Sequence, residues 1–170
     1  MRDSTLLGRF PCSTGPWFER EVEDYIQTRV SAQVRQGRRV LLLEDGGELI
    51  GVGAHEAMPD PEGADFLISW LELVAIHRER QGTSLPTGER LATVLLTALM
   101  RDGLSDKNRQ PFVAAYVAQE NTRSRTLCSR VGLTEDPTPV MLFCPILGAE
   151  APYVFLQGSF RRHPGPSSSS

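Results

Sequence analysis

Apolar side chains recur along this chain at two periods, and the switches between them mark out the elements. From Pro16 to Gly37, Phe18, Val22, Tyr25, Ile26 and Val30 return every three or four residues, the stripe of a helix with one buried face. Pro16 suits its first turn and Gly37 a C-terminal stop. In "RRVLLLEDGGELIGVGAH" two apolar runs flank Asp45-Gly46-Gly47, which predicts a β-hairpin. After the Pro/Asp/Gly loop "AMPDPEGAD", the run Phe66–Ile76 is almost unbroken apolar, as in a strand covered on both faces. The helical period returns from Gly88 with Leu91, Val94, Leu95, Ala98 and Leu99. Pro111 then precedes a strand, "FVAAYVAQ". A short helix, "TRSRTLCSRVGL", points Leu127 and Val131 inward and closes at Gly132. "PVMLFCPIL" and "YVFLQGSF" predict two final strands, and the opening "STLLGRF" a short first one. The predicted order, β–α–ββ–β–α–β–α–ββ, is an α/β fold: a mixed sheet with helices on its faces.

Composition narrows the setting. A chain of 170 residues is one domain by length, large enough for a real core. That domain is expected to span 1–160, because "RRHPGPSSSS" (161–170) has nothing to bury and reads as a disordered tail. Eighteen basic against 21 acidic residues leave a net charge of -3, so bulk charge offers nucleic acid no attraction. Cys12, Cys128 and Cys144 are odd in number and widely spaced, which suits reduced thiols rather than a disulfide framework or a zinc site. No apolar run approaches the ~18 residues of a membrane span, and "MRDSTLLGRF" lacks the shape of a secretory signal. A cytoplasmic protein without nucleic-acid or membrane partners is expected.

The chemistry centres on "RERQGTSLPTGERLA", Arg78 to Ala92, a glycine-flanked loop feeding a helix. Such a loop is suited to phosphate, because the first helical N–H groups lack internal partners. It is not a nucleotide-triphosphate loop: Gly82 and Gly88 are wrongly spaced, and Glu89-Arg90 stand where Lys and Ser/Thr are needed. No G-x-G-x-x-G fingerprint is present. With its flanks, "LELVAIHRERQGTSLPTGERLATVLLTAL" resembles the acyl-CoA-binding motif of the GNAT superfamily of N-acyltransferases, a strand, (Q/R)-x-x-G-x-(G/A), then a helix. "VAQENTRSRTLCSRVGL" resembles that superfamily's next strand and helix, V-x-x-x-N-x-x-A-x-x-L-Y-x-x-x-G-F. The strong part of the match runs from Leu71 to Leu133. Two departures stand out: Ser84 occupies the usual first-glycine position, and Gly88 reaches the second only if Pro86-Thr87 is an insertion.

The resemblance implies a mostly antiparallel sheet splayed at a central parallel strand pair, with helices on both faces. It implies acetyl-CoA as co-substrate and an amine as acceptor, either a small molecule or a protein, and a homodimer is compatible with it. The backbone of Val74 and Ile76 would pair with the pantetheine arm like an added strand. Gln81, Gly82, Thr83, Ser84 and Gly88 would hold the pyrophosphate, and Asn121 the pantetheine. Arg90, Arg123, Arg125 and Arg130 ring the two helices, and most read as a solvated face, with one or two available to the adenosine phosphate.

Acyl transfer needs an uncharged amine and a proton for the departing thiolate. Glu72, the one charge in Phe66–Ile76, is the candidate base, and an ion pair with a neighbouring arginine is the competing reading. Cys128 stands where many members place a proton-donating tyrosine. It is a candidate acid, although a small buried filler is the commoner fate of such a cysteine. Tyr116 reads more readily as core than as cleft lining, and His55 and His77 as surface or loop residues forming no metal site. A non-catalytic acyl-CoA-binding module and a nucleotide-binding α/β protein are the rival functions. The segment Ala57–Asp65 and the first helix are expected to line the acceptor site.

Overall fold

The computed structural model describes residues 6–30, 38–59 and 67–160. Among them, the strands are Arg38–Asp45 (β1), Glu48–Pro59 (β2), Leu67–Ile76 (β3), Arg109–Ala118 (β4), Thr134–Glu135 (β5), Val140–Cys144 (β6) and Ala149–Ser159 (β7). The helices are Trp17–Tyr25 (α1), Leu91–Ser105 (α2) and Thr122–Arg130 (α3). The strands form one seven-stranded sheet in the order β1-β2-β3-β4-β7-β5, with β6 also paired to β7.

Every pairing is antiparallel except β3 with β4. That parallel pair is short. It matches Leu67 to Arg109, Ser69 to Val113 and Trp70 to Ala114, and stops. Beyond Trp70 the two strands diverge, β3 staying with β2 and β4 with β7 through Ala118. The sheet is thus splayed at its centre, as the resemblance implied.

Two apolar layers sandwich it. On one face α2 and α3 cover β2, β3, β4 and β7, with Leu95, Leu96, Leu99, Val113, Val154 and Leu156 at the centre. On the other, α1 and the turn before it bury Phe10, Ile26, Val52, Ala54, Leu73 and Ala75. The buried stripe of α2 is Leu91, Leu95, Leu96, Leu99 and Met100, so Val94 and Ala98 lie on its flank rather than at its centre. The helix sits so close to β2 that a Cβ on Gly53 would come 2.3 Å from Leu99 Cδ1. Only glycine fits there without displacing the Leu99 side chain.

The sequence expectations need five corrections. Leu6–Phe10 is not strand: Arg9 and Phe10 donate to Leu6 and Leu7 carbonyls, forming a helical turn that tucks Leu7 and Phe10 under the sheet. Pro16 caps α1 from outside, its carbonyl accepting from Glu19 and Arg20, and α1 ends in a π-helical turn, Ile26–Val30. The expected stop at Gly37 and the tail at 161–170 lie outside the described residues. α2 begins at Leu91, not Gly88, because the chain first folds back on itself. Pro111 lies inside β4, where the β3–β4 register slips, so its missing N–H breaks no ladder bond. The two-residue β5 carried no period and was not expected. The Gly46-Gly47 hairpin is where it was predicted, both glycines at positive φ. No described helix is long and apolar enough to cross a membrane.

Candidate functional site

Divergence of β3 and β4 opens the sheet into two adjoining cavities, about 370 and 470 Å³. They share Phe18, Val22, Val74, Asn121, Ser124 and Leu127, so they form one continuous cleft across the splay. Their charges differ in sign. The first is rimmed by Arg80, Arg90, Arg123 and Arg130, with Glu19 the single acid among the described residues that line it. The second holds Glu21, Glu56 and Glu72, and no described Arg, Lys or His lines it.

Most residues expected to bind a cofactor meet at the first cavity. Val74, Ile76, Gln81, Gly82, Thr83 and Asn121 all line it. Past Trp70, no β4 residue pairs with β3, which leaves that edge of β3 facing the cleft. Gln81 straps the mouth: its Nε2 donates to the Cys12 carbonyl at 2.6 Å, while its Oε1 accepts from Arg123 at 3.3 Å. The Thr83 hydroxyl is committed to the Arg80 carbonyl at 2.7 Å. Asn121 caps α3, its Oδ1 accepting from the Ser124 N–H at 3.0 Å.

Ser84 and Gly88 are not brought to the cleft. Pro86-Thr87 is extruded at the tip of a small hairpin in which Ser84 bridges Arg90 and Leu85 N–H donates to Glu89 at 2.8 Å. The stem brings the Leu91 N–H to the Thr83 carbonyl at 3.2 Å, so Gly82–Thr83 adjoins the start of α2 directly. Gly88, at φ +87°, serves the hairpin turn. Arg125 is not at the mouth either; it pairs with Glu135 at 2.6 Å and bonds the Gln119 carbonyl.

Glu72 and Cys128 both line the second cavity. Glu72 is the extra residue of a β-bulge: Ala54 pairs with Leu73 and His55 with Leu71, leaving Glu72 without a partner across the ladder. Bulges re-aim side chains, and this one delivers a carboxylate through an apolar strand. Its Oε1 accepts from the Tyr25 hydroxyl at 2.7 Å and from Arg38 Nη2 at 2.6 Å. The side chains of Arg38 and Glu72 are only 1% and 6% exposed. Burial opposes the charge on Arg38, but bonding and attraction to Glu72 hold its pKa above the ordinary value. Among the described residues, the buried side-chain atoms without a hydrogen-bond partner are Arg38 Nε, Arg38 Nη1 and Glu72 Oε2. The ion pair weighed from sequence is therefore present, and it leaves one oxygen of a cavity-lining residue buried without a partner.

Cys128 is buried in the α2/α3 core, and desolvation pushes its thiol up to about 11. Tyr116, read from sequence as core, is instead 39% exposed and lines the second cavity beside Trp70. His55 is no loop residue. It lies within β2, 1% exposed, its Nε2 2.8 Å from Asp102 and its Nδ1 2.9 Å from Arg109. Arg109, itself 4% exposed, reaches Ser69 at 3.4 Å and Asp106 at 3.1 Å. His77 caps the 3-10 turn Arg78–Arg80. Sequence reasoning missed Arg38, Tyr25, Glu21 and Glu56. The one signal for Arg38 was the oddity that singled out Glu72, a charge abutting an unbroken apolar run.

No protein-family model matches the sequence, and no curated sequence matches it significantly. Solved structures do match. The ribosomal-protein-S18-alanine N-acetyltransferase of Escherichia coli superposes with a TM-score of 0.65 at 15% identity, over 98% of this chain and 93% of that one. A putative GNAT-family acetyltransferase of Desulfovibrio desulfuricans gives 0.62 at 14% identity, over 93% and 92%. YncA, a putative acetyltransferase of Salmonella typhimurium solved with acetyl-CoA, gives 0.58 at 20%, over 78% and 70%. The chain has the fold of the GNAT N-acetyltransferases.

Proposed function

We propose that this chain is an acetyl-CoA-dependent N-acetyltransferase, with the cofactor in the arginine-rimmed half of the cleft and an amine in the other. The observation that carries the reading is the opening of the sheet after Trp70 and Ala114 beside a cationic mouth. A strand edge left unpaired suits an extended arm with amide groups, as in β-augmentation. Backbone at Val74 and Ile76 takes that part. Arg90, Arg123 and Arg130, with the N–H groups of Gly82 and Thr83, suit a pyrophosphate and an adenosine phosphate. Ser84 and Gly88 act only through the hairpin that seats this loop against α2.

Acetyl-CoA supplies the acyl group as a thioester. The chain's part is to orient the amine and manage its protons. Glu72 Oε2, buried and unpartnered at the cleft, is assigned the proton from the incoming ammonium, while Arg38 and Tyr25 fix the carboxylate through Oε1. The nitrogen lone pair then forms the C–N bond as the C–S bond breaks. The sulfur keeps that electron pair and takes up the nitrogen's second proton through solvent. Cys128, with a thiol near pKa 11, is too weak an acid to be needed for this and is assigned to packing.

Thermal shift with a CoA-release assay tests the reading. Acetyl-CoA at a hundredfold excess over Kd should stabilise the protein by about 2.7 kcal/mol, and ATP with Mg²⁺ should not. Release of CoA in the presence of amines is expected. Tight binding without turnover on any amine would make the chain a binding module. Equal shifts with ATP and acetyl-CoA would make the cavity a general nucleotide site.

A further inference from the structure

We infer that the acceptor is a small primary amine on an aromatic body that carries no acidic group. The inference rests on the acetyltransferase reading and names its substrate class. Three carboxylates face the second cavity, and no described cation lines it. Arg38, behind Glu72 and in register with Glu56 across β1 and β2, offsets one of those charges from outside the cavity. Glu21 accepts the Tyr153 hydroxyl at 2.6 Å. Glu72 Oε2, on a side chain 6% exposed, has no partner at all. An ammonium satisfies that orphan acceptor and is drawn by the remaining field. A carboxylate on the same molecule meets a net like charge.

The aromatic half of the assignment comes from the rings that line the same cavity. Trp70 and Tyr116 line the cavity with ring centroids 5.2 Å apart, edge to face. Phe155 braces both, 6.2 Å from Trp70 and 5.3 Å from Tyr116. Tyr116 stands 39% exposed on the α1 face of the sheet, and Phe143, at the lip of the same cavity, 66%. These rings offer aromatic faces and edges against which an aromatic body can pack. The cavity, about 470 Å³, is of the size that small-molecule sites take.

Matched pairs test this directly: tyramine against tyrosine, and tyramine against butylamine. Both are measured on the full chain by CoA release with acetyl-CoA, and by calorimetric titration into the protein saturated with CoA. Tyramine is expected to exceed tyrosine by about a hundredfold in kcat/KM and in affinity, the scale of one added carboxylate a few ångströms from two others. Tyrosine methyl ester, which caps the carboxylate but keeps its bulk, should recover most of the loss. Butylamine should bind about tenfold more weakly than tyramine. Glu56→Gln should raise KM for tyramine about tenfold with kcat and acetyl-CoA affinity unchanged. Tyrosine matching tyramine, or butylamine matching it, overturns the inference. If no amine releases CoA but calorimetry still ranks tyramine above tyrosine and butylamine, the cavity's amine specificity stands as a binding property and the transferase reading falls.

Discussion

Two clusters of buried charge interrupt the apolar core, and they are built to opposite ends. On the α2 face, His55, Asp102, Arg109, Ser69 and Asp106 form a closed network that joins the end of α2 to β2, β3 and β4. On the α1 face, Arg38, Tyr25 and Glu72 form a network that stops short, with two guanidinium nitrogens and one carboxylate oxygen left bare. The first cluster borders neither half of the cleft; Glu72 and Tyr25 of the second line it. A buried charge is costly unless its bonds are complete, so the incomplete cluster needs further partners, water or ligand, that the closed one does not. The closed cluster is a staple. The open one borders the cleft.

Replacing Glu72 tests that contrast where the largest effect is expected. Glu72→Gln should lower kcat/KM for the amine by roughly 10²–10⁴-fold, the usual scale for a general base. The acetyl-CoA Kd should stay within about threefold, since the proposed cofactor site is built from backbone and arginines in the other half of the cleft. Loss of affinity for acetyl-CoA equal to the loss of rate would mean that Glu72 only shapes the cleft. Full activity in the variant would remove it from the chemistry.

The two clusters also divide what the sequence disclosed from what it hid. Glu72 was visible because one charge in an eleven-residue apolar run is conspicuous. Its partners were not, because nothing local links Tyr25, Arg38 and Glu72, which lie 13 and 34 residues apart. The bulge that aims Glu72 is a slip of register between β2 and β3, and register is a property of pairs of strands. His55 was misread for the same reason, since its acid and its arginine arrive from α2 and β4. Locally encoded features were legible: Gly46-Gly47 set the hairpin and the leucine stripe set α2. The hairpin of Ser84–Arg90 shows the limit of motif matching, because it holds Ser84 and Gly88 outside the cleft while their spacing in the sequence stays suggestive.

Breaking the closed cluster should change stability and not chemistry. Arg109→Met strips His55, Ser69 and Asp106 of a shared donor inside the fold. The expected cost is about 3 kcal/mol, a fall of roughly 6–12 °C in Tm for a domain of this size. Turnover per folded molecule, measured well below the new Tm, should be unchanged. A variant that keeps its Tm but loses rate would make this cluster part of the site and end the comparison.

The same cluster predicts how stability depends on pH. Burial holds the pKa of His55 below that of free histidine, against the pull of Asp102 and with the help of Arg109 and Arg39. The unfolded chain therefore takes up a proton, near pH 6.5, that the native chain refuses. Stability from neutral His55 is complete above about pH 6.5 and is lost as pH falls towards the lower native pKa. Melting curves should show a flat Tm from pH 8 to 7 and a decline from 6.5 to 5. His55→Gln should start lower at pH 7 and lose most of that slope. An equal slope in both proteins would assign the decline to carboxylates instead.

Cys128 gives the smallest expected effect and the finest test of the open cluster. It lies on the wall of the cavity that Glu72 serves, at the position where a tyrosine would be expected to donate a proton, but its thiol is desolvated to a pKa near 11. A donor that reluctant transfers its proton uphill to a thiolate of ordinary basicity, about 8.5, so its contribution should be slight. Cys128→Ser should cost no more than about tenfold in kcat/KM, and Cys128→Ala about as little, since each exchanges one small buried group for another. A filler should act alike in both variants and through stability more than rate. A proton donor should separate them, with serine retaining activity that alanine loses. A loss of several hundredfold in Cys128→Ala with Tm intact, beside an indifferent Glu72→Gln, would reverse the two assignments.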